Sequence, residues 1–290
     1  MIRCIASDMD GTLLNHELQV SEHNKNAIEK AQKQGIEVIV ATGRSYEEAR
    51  YALEEVNLSL PIICSNGAEI RSKDGLVLYS ESMSGEKAAH IASTLNELGI
   101  YFELYTSTGT YSESYEKGID IIVDIYQTAN PEVPVELIRD GAENRFKNGL
   151  IQVVDDYKQL FQDESIHIHK FLAFSMQAAK LKVANEQLAT ITDIAISSSG
   201  SENIEITSAH AQKGIALEQY TKERGISLQE CMAIGDNFND VSMLEKVGHP
   251  VVMANGHEDI KMRFPVHTTS NRESGVGTAI DKVVGTLSRR

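Results

Sequence analysis

Two aspartates separated by one residue, Asp8 and Asp10, follow a short apolar run from Ile2 to Ala6, and Gly11 and Thr12 come directly after them. The run reads as a buried strand, and glycine lets the backbone turn sharply beyond it. Along a continuing strand residues i and i+2 point the same way. Both carboxylates would then stand near the strand's C-terminal end, where open α/β sheets bind ligands. Carboxylates this close repel each other unless a cation sits between them, and a hard divalent ion such as Mg²⁺ suits oxygen ligands. A calcium loop starting at Asp8 would need glycine at its sixth position and glutamate at its twelfth. The chain has Leu13 and Gln19 there. A plain acidic turn explains Gly11 but gives no reason for two acids leaving a buried strand.

Three further polar clusters sit just after apolar strands or at helix starts. They are Thr42-Gly43-Arg44, Lys213, and Asp236 with Asn239-Asp240. Each has an ordinary reading by itself. Thr42-Gly43-Arg44 makes a strand-to-helix turn, Lys213 a surface helix lysine, and Asp236 and Asp240 helix caps. Ends of parallel strands lie together in space, so the four clusters can converge on one place.

The elements that must position them follow a regular rhythm. Ser21 caps a helix to about Gln34, with Gly35 just past its end. Ile36 to Ala41 is a strand, Ser45 and Glu48 form a capping box, and Tyr46, Ala49, Leu53 and Val56 mark that helix's buried face. Pro61 to Cys64 is a third strand. This alternation predicts a parallel sheet covered on both faces. Asn66-Gly67 is a hairpin signal, and a β excursion runs from Ala68 to Tyr79.

The texture changes near Ser84. A helix ending at Gly99 is followed by a hairpin around Thr108-Gly109 and by helical stretches over 117–128 and 135–162, broken near Pro131 and Pro134. Beyond them come a strand over 166–176, a helix over 177–190, and strands over 193–198 and 203–207. This block reads as an α+β domain inserted into the first. The α/β rhythm resumes with a helix from Lys213 to Arg224, a strand over 231–235, a helix from about Asn239 to Gly248, a strand over 251–254 and a last helix from about Val276.

Composition narrows the function. The chain has 290 residues, 41% of them hydrophobic, and a formal net charge of −15. That charge disfavours nucleic acid and anionic membranes as partners. No run approaches the ~20 apolar residues of a membrane span, and no signal-peptide layout opens the chain, so cytoplasmic residence is the expectation. Cys4, Cys64 and Cys231 are an odd number in apolar runs, which predicts buried thiols.

Asp8-Met9-Asp10-Gly11-Thr12, Thr42-Gly43-Arg44, Lys213-Gly214 and Gly235-Asp236-Asn237-Phe238-Asn239-Asp240, in this order, resemble the four motifs of the haloacid dehalogenase-like superfamily. The large insertion between the second and third motifs, together with Asn66-Gly67-Ala68 and Thr269-Ser270-Asn271, is similar to its Cof-type phosphatases with a C2-type cap. The resemblance implies a Rossmann-like parallel-sheet core over residues 1–83 and 209–290, with a cap over 84–208. It implies a phosphatase for small phosphorylated metabolites; a phosphosugar mutase and a non-catalytic sugar-phosphate sensor are the alternatives. Asp8 would be the nucleophile and Asp10 the general acid and base. Mg²⁺ would be held by Asp8, the Asp10 carbonyl and Asp236. Thr42, Gly43, the Met9 amide, Lys213 and Asn239 would hold phosphate, and Asp240 would orient its neighbours. Arg44 has two roles open, a substrate contact or a structural pair with an acid. Ser274 departs from the family, where many relatives carry an acid. His167 and His169 alternate on one strand of the cap and share a face, as ligands or substrate contacts or, the reading preferred, as solvated histidines. His210 precedes Lys213 and either approaches the site or, as preferred, lies on a surface loop. Tyr101, Tyr105 and Tyr111 line a pocket or pack the cap's own sheet.

Overall fold

The computed structural model describes residues 1–129, 132–198 and 200–287. Pro131, expected to break a helix, lies outside them. The chain divides into two compact units, one formed by Met1–Ser80 with the chain from Ala211 on, the other by Glu81–His210.

The first unit opens with β1 (Cys4–Ser7), α1 (Glu22–Lys33), β2 (Glu37–Ala41), α2 (Tyr46–Glu54), β3 (Ile62–Cys64), β4 (Glu69–Arg71) and β5 (Val77–Ser80). The Ser21 cap and the Ser45/Glu48 capping box both form. The inserted unit comprises α3 (Gly85–Glu97), β6 (Tyr101–Thr106), β7 (Gly109–Ser112), α4 (Tyr115–Ala129), α5 (Val135–Lys147), β8 (Ile151–Val153), α6 (Lys158–Gln162), β9 (Ile168–Phe174), α7 (Ala178–Leu188), β10 (Ile194–Ser197) and β11 (Asn203–Ser208). The first unit is completed by α8 (Lys213–Glu223), β12 (Cys231–Gly235), α9 (Val241–Leu244), β13 (His249–Val252), α10 (Glu258–Arg263) and α11 (Gly275–Leu287).

The core sheet has the order β13-β12-β1-β2-β3-β4-β5. Its first five strands are parallel, and β4 and β5 add an antiparallel edge. Alternate side chains leave opposite faces. Ile5, Val38, Val40, Ile62 and Ile234 pack against Ile28, Leu53 and Ile280 on one side. Cys4, Ala6, Ile39, Ile63 and Ala233 pack against Leu217, Tyr220 and Leu244 on the other. Layers on both faces explain why these strands are apolar throughout. All three cysteines are buried and free.

The inserted unit has a sheet of order β10-β11-β9-β6-β7-β8, antiparallel except for the β7–β8 pair. The single helical stretch expected over 135–162 is in fact α5, β8 and α6. Gly149, at a φ of +72°, ends the first helix, and the three-residue β8 is held by parallel pairing to β7. The two strand histidines do not share a solvated face. His167 is exposed and His169 buried, because β9 carries an extra residue where Tyr105 pairs with Lys170 but Thr106 pairs with Ile168. Tyr101 bonds Ser112 across 2.9 Å and stacks on Phe174, Tyr111 bonds Thr108, and Tyr105 lies 4.3 Å under the Lys170 ammonium.

Candidate active site

Strand register places the first residues of the site. Ser7 is level with Ile234 on one neighbour and Val40 on the other. Asp8, Asp236 and Thr42 therefore leave the same edge of the sheet within a residue or two of one another. The Asp8 amide still donates to the Ile234 carbonyl (2.9 Å), and the Thr42 amide to Ile63 (2.8 Å). The strand ends at Ser7, so Asp8 and Asp10 are not the matched pair that a continuing strand would give. Met9 buries its side chain in the core between them, and Gly11 turns the chain at a φ of +79°.

The nucleus is an ion cluster. Lys213, the first residue of α8, is fully enclosed, and its Nζ donates to Asp8 Oδ1 and to Asp240 Oδ1, both at 2.7 Å. Asp240 Oδ2 accepts the amides of Asp236 (2.9 Å) and Asn237 (3.1 Å), so both its oxygens are engaged in holding neighbours. Thr12 donates its hydroxyl to Asp236 Oδ1 at 2.7 Å. A Cβ at Gly11 would lie 2.5 Å from an Asp236 oxygen, and one at Gly235 would lie 2.5 Å from the Asp240 carboxyl carbon. Both glycines are thus required by carboxylates packed against bare backbone.

Charge in this nucleus is unbalanced. Carboxylate oxygens of Asp8, Asp236 and Asp240 lie within 4.8 Å of one another, and three acids face one ammonium. Burial pushes the Asp8 carboxyl well above the usual range; Asp240 adds to that, and Lys213 opposes it. Burial, then Asp240, pushes Asp236 up to about 6, against the Thr12 hydroxyl. Burial alone would lower Lys213, but Asp240 and Asp8 outweigh it and hold the ammonium above the usual lysine range. A buried excess of hard oxygen donors suits a hard divalent cation. Asp240 is already held by Lys213 and two backbone amides, and together Asp8, Asp236 and Asp240 offer the carboxylate oxygens for such an ion.

The Thr42 side has its own scaffold. The Thr42 hydroxyl accepts the Arg44 amide at 3.1 Å, which leaves its proton for an outside acceptor. Arg44 forks onto Asp10 at 2.8 and 2.6 Å. Of its two open roles, the pair with an acid is therefore the one seen, and the acid is Asp10, whose side chain is half exposed. Asn239 Nδ2 reaches Asn66 Oδ1 at 3.4 Å. Sequence reasoning missed Asn255, whose amide donates to the Gly11 carbonyl (2.8 Å) and accepts from the Asn271 backbone. It also gave Thr12 no role. Ser274, in the left-handed region at a φ of +57°, bonds Ser21. His210 is exposed.

The comparisons with known proteins bear on this arrangement. A profile described as haloacid dehalogenase-like hydrolase matches residues 5–280. The chain belongs to this family. It is a Cof-type member and an enzyme, a phosphoric-monoester hydrolase. It is 35% identical over 277 residues to phosphatase YwpJ of Bacillus subtilis, covering 95% of this chain and 97% of that one. It is 36% identical over 284 residues to 5-amino-6-(5-phospho-D-ribitylamino)uracil phosphatase YwtE of the same organism, covering 98% of each. The solved structure of a haloacid dehalogenase-like hydrolase from B. subtilis superposes with a TM-score of 0.87 at 34% identity, covering 97% of this chain and 99% of that one.

Proposed function

We propose that this haloacid dehalogenase-like hydrolase is a Mg²⁺-dependent phosphatase of small phosphorylated metabolites that works through an aspartyl-phosphate on Asp8. The single observation that carries this reading is the Lys213 ammonium 2.7 Å from an Asp8 oxygen in a buried cluster of carboxylates. Uncatalysed phosphate-monoester hydrolysis is among the slowest reactions known, and preorganised positive charge is the physical remedy.

Asp8 and Asp236, with the Asp10 carbonyl, would hold Mg²⁺, which when bound offsets the repulsion between a carboxylate and a phosphate dianion. Asp8 attacks phosphorus as the ester P–O bond breaks, and Asp10 gives its proton to the departing alkoxide. Water then attacks the aspartyl-phosphate, Asp10 takes a proton from it, and Asp8 is freed. The Thr42 hydroxyl, the Gly43 and Met9 amides, Lys213 and Asn239 hold the phosphate oxygens. Asp240 orients Lys213 and the Asp236 backbone, and Arg44 holds Asp10.

The relative named for 5-amino-6-(5-phospho-D-ribitylamino)uracil makes that ester the first substrate to assay, beside sugar phosphates. Asp8→Asn is expected to abolish turnover of p-nitrophenyl phosphate in Mg²⁺. Full activity in that variant would refute the assignment. Measuring released phosphate against isomerised sugar phosphate separates hydrolysis from mutase chemistry.

A further inference from the structure

The turn between β3 and β4 holds an unusual backbone. Ser65, Asn66 and Gly67 follow one another at φ values of +48°, +59° and +107°. Non-glycine residues in this region are strained and persist only where their surroundings over-determine them. A hairpin alone asks for no such run of three residues. The surroundings here are parts of the phosphate side of the site. The Ser65 amide donates to the Arg44 carbonyl (2.8 Å) and the Asn66 amide to the Thr42 carbonyl (3.0 Å). Asn66 Oδ1 faces the Asn239 amide. A Cβ on Gly67 would lie 2.5 Å from both the carbonyl carbon and the oxygen of Gln212, the residue before Lys213. All these residues belong to the first unit.

We infer that the turn Ser65–Gly67 is the positioning device for the phosphate side of the site, and that Asn66 is a positioning residue acting through Asn239. One rigid turn meets the backbone at Thr42 and Arg44, abuts the backbone that launches Lys213, and carries the acceptor that aims Asn239. Three groups from distant parts of the chain are thereby referred to one local frame. A phosphoryl-transfer site gains its rate from such placement, and a misplacement of about 1 Å lowers rates by about 100-fold. The inference rests on the proposed roles of Thr42, Lys213 and Asn239.

Asn66→Gly tests it, because glycine enters this backbone region freely and only the side-chain amide is lost. The expected result with p-nitrophenyl phosphate and Mg²⁺ is a fall in kcat of roughly 10-fold or more, with KM and the thermal midpoint little changed. In an Asn239→Ala background the same substitution should have almost no further effect, since the group it aims is gone. A kcat close to that of the unaltered enzyme, or the same fold loss in both backgrounds, overturns the inference. Gly67→Ala gives an independent reading, with a loss of kcat that does not depend on Asn239. An active Asp8→Asn enzyme would instead remove the reading beneath, so the two failures are told apart.

Discussion

Asp236 is tied to the rest of the site by contacts that each act on its charge. Thr12 favours the ionised carboxylate, while burial and Asp240 oppose it and set the metal-free group at about 6. The unfolded value is about 3.9. A carboxyl raised in this way lends stability below its unfolded pKa and loses that contribution as pH climbs through the folded one. At neutral pH the metal-free protein therefore carries a repulsion that protonation relieves in acid. A divalent ion binds the deprotonated ligands, so its affinity grows over the same window, and binding to the folded state alone raises stability. The increase in unfolding temperature on adding MgCl₂ should thus be larger at about pH 7.5 than at about pH 5. Differential scanning calorimetry at both pH values checks this, and equal increments would remove Asp236 from the ligand set.

At the scale of elements, α8 is fixed where it begins. The Gly214 amide donates to the Ser242 hydroxyl at 3.0 Å, and a Cβ at Gly214 would run into the Ser242 carbonyl. Backbone has no rotamer with which to give way, so Gly214→Ala should destabilise by about 1–3 kcal/mol and draw Lys213 away from Asp8. Urea unfolding measures the first effect and kcat the second; an unchanged midpoint would show that α8 can slide. Much of this framework was legible in the sequence. β1, β2, β3 and β12 are short apolar runs closed by polar turns, Ser21 and Ser45 announce their helices, and the order of the polar clusters marked the residues that the fold gathers. What escaped was set by distant partners. β8 is three residues stabilised by β7; Gly149 marks the end of the helix before it, but so short a run carries no strand periodicity of its own. The extra residue on β9 that divides His167 from His169 is defined only against β6. Asn255 reaches Gly11 across 244 positions, and such a contact leaves no periodicity to read.

For the molecule as a whole, the apolar clusters obey the division of the chain. Two of them draw only on residues before Ser80 and after Ala211, and the other two lie between Met83 and Ile206. Among the described residues no helix is long and apolar enough to cross a membrane. Each unit therefore has its own means of staying folded, and damage to one core need not spread to the other. Leu104 is fully buried in β6 amid Phe102, Phe171 and Ile206. Leu104→Ala removes that packing and leaves a cavity, at a cost of about 2–5 kcal/mol. The loss should fall on the inserted unit, because local stability follows local packing. Hydrogen exchange ought to accelerate in β6, β9 and β11 while β1, β2 and β12 keep their protection. Mg²⁺ should still raise the stability of the first unit, since Asp8, Asp236 and Lys213 all reside there. Uniform acceleration across both sheets would mean that the two cores unfold as one, and the independence argued from their separate packing would be lost.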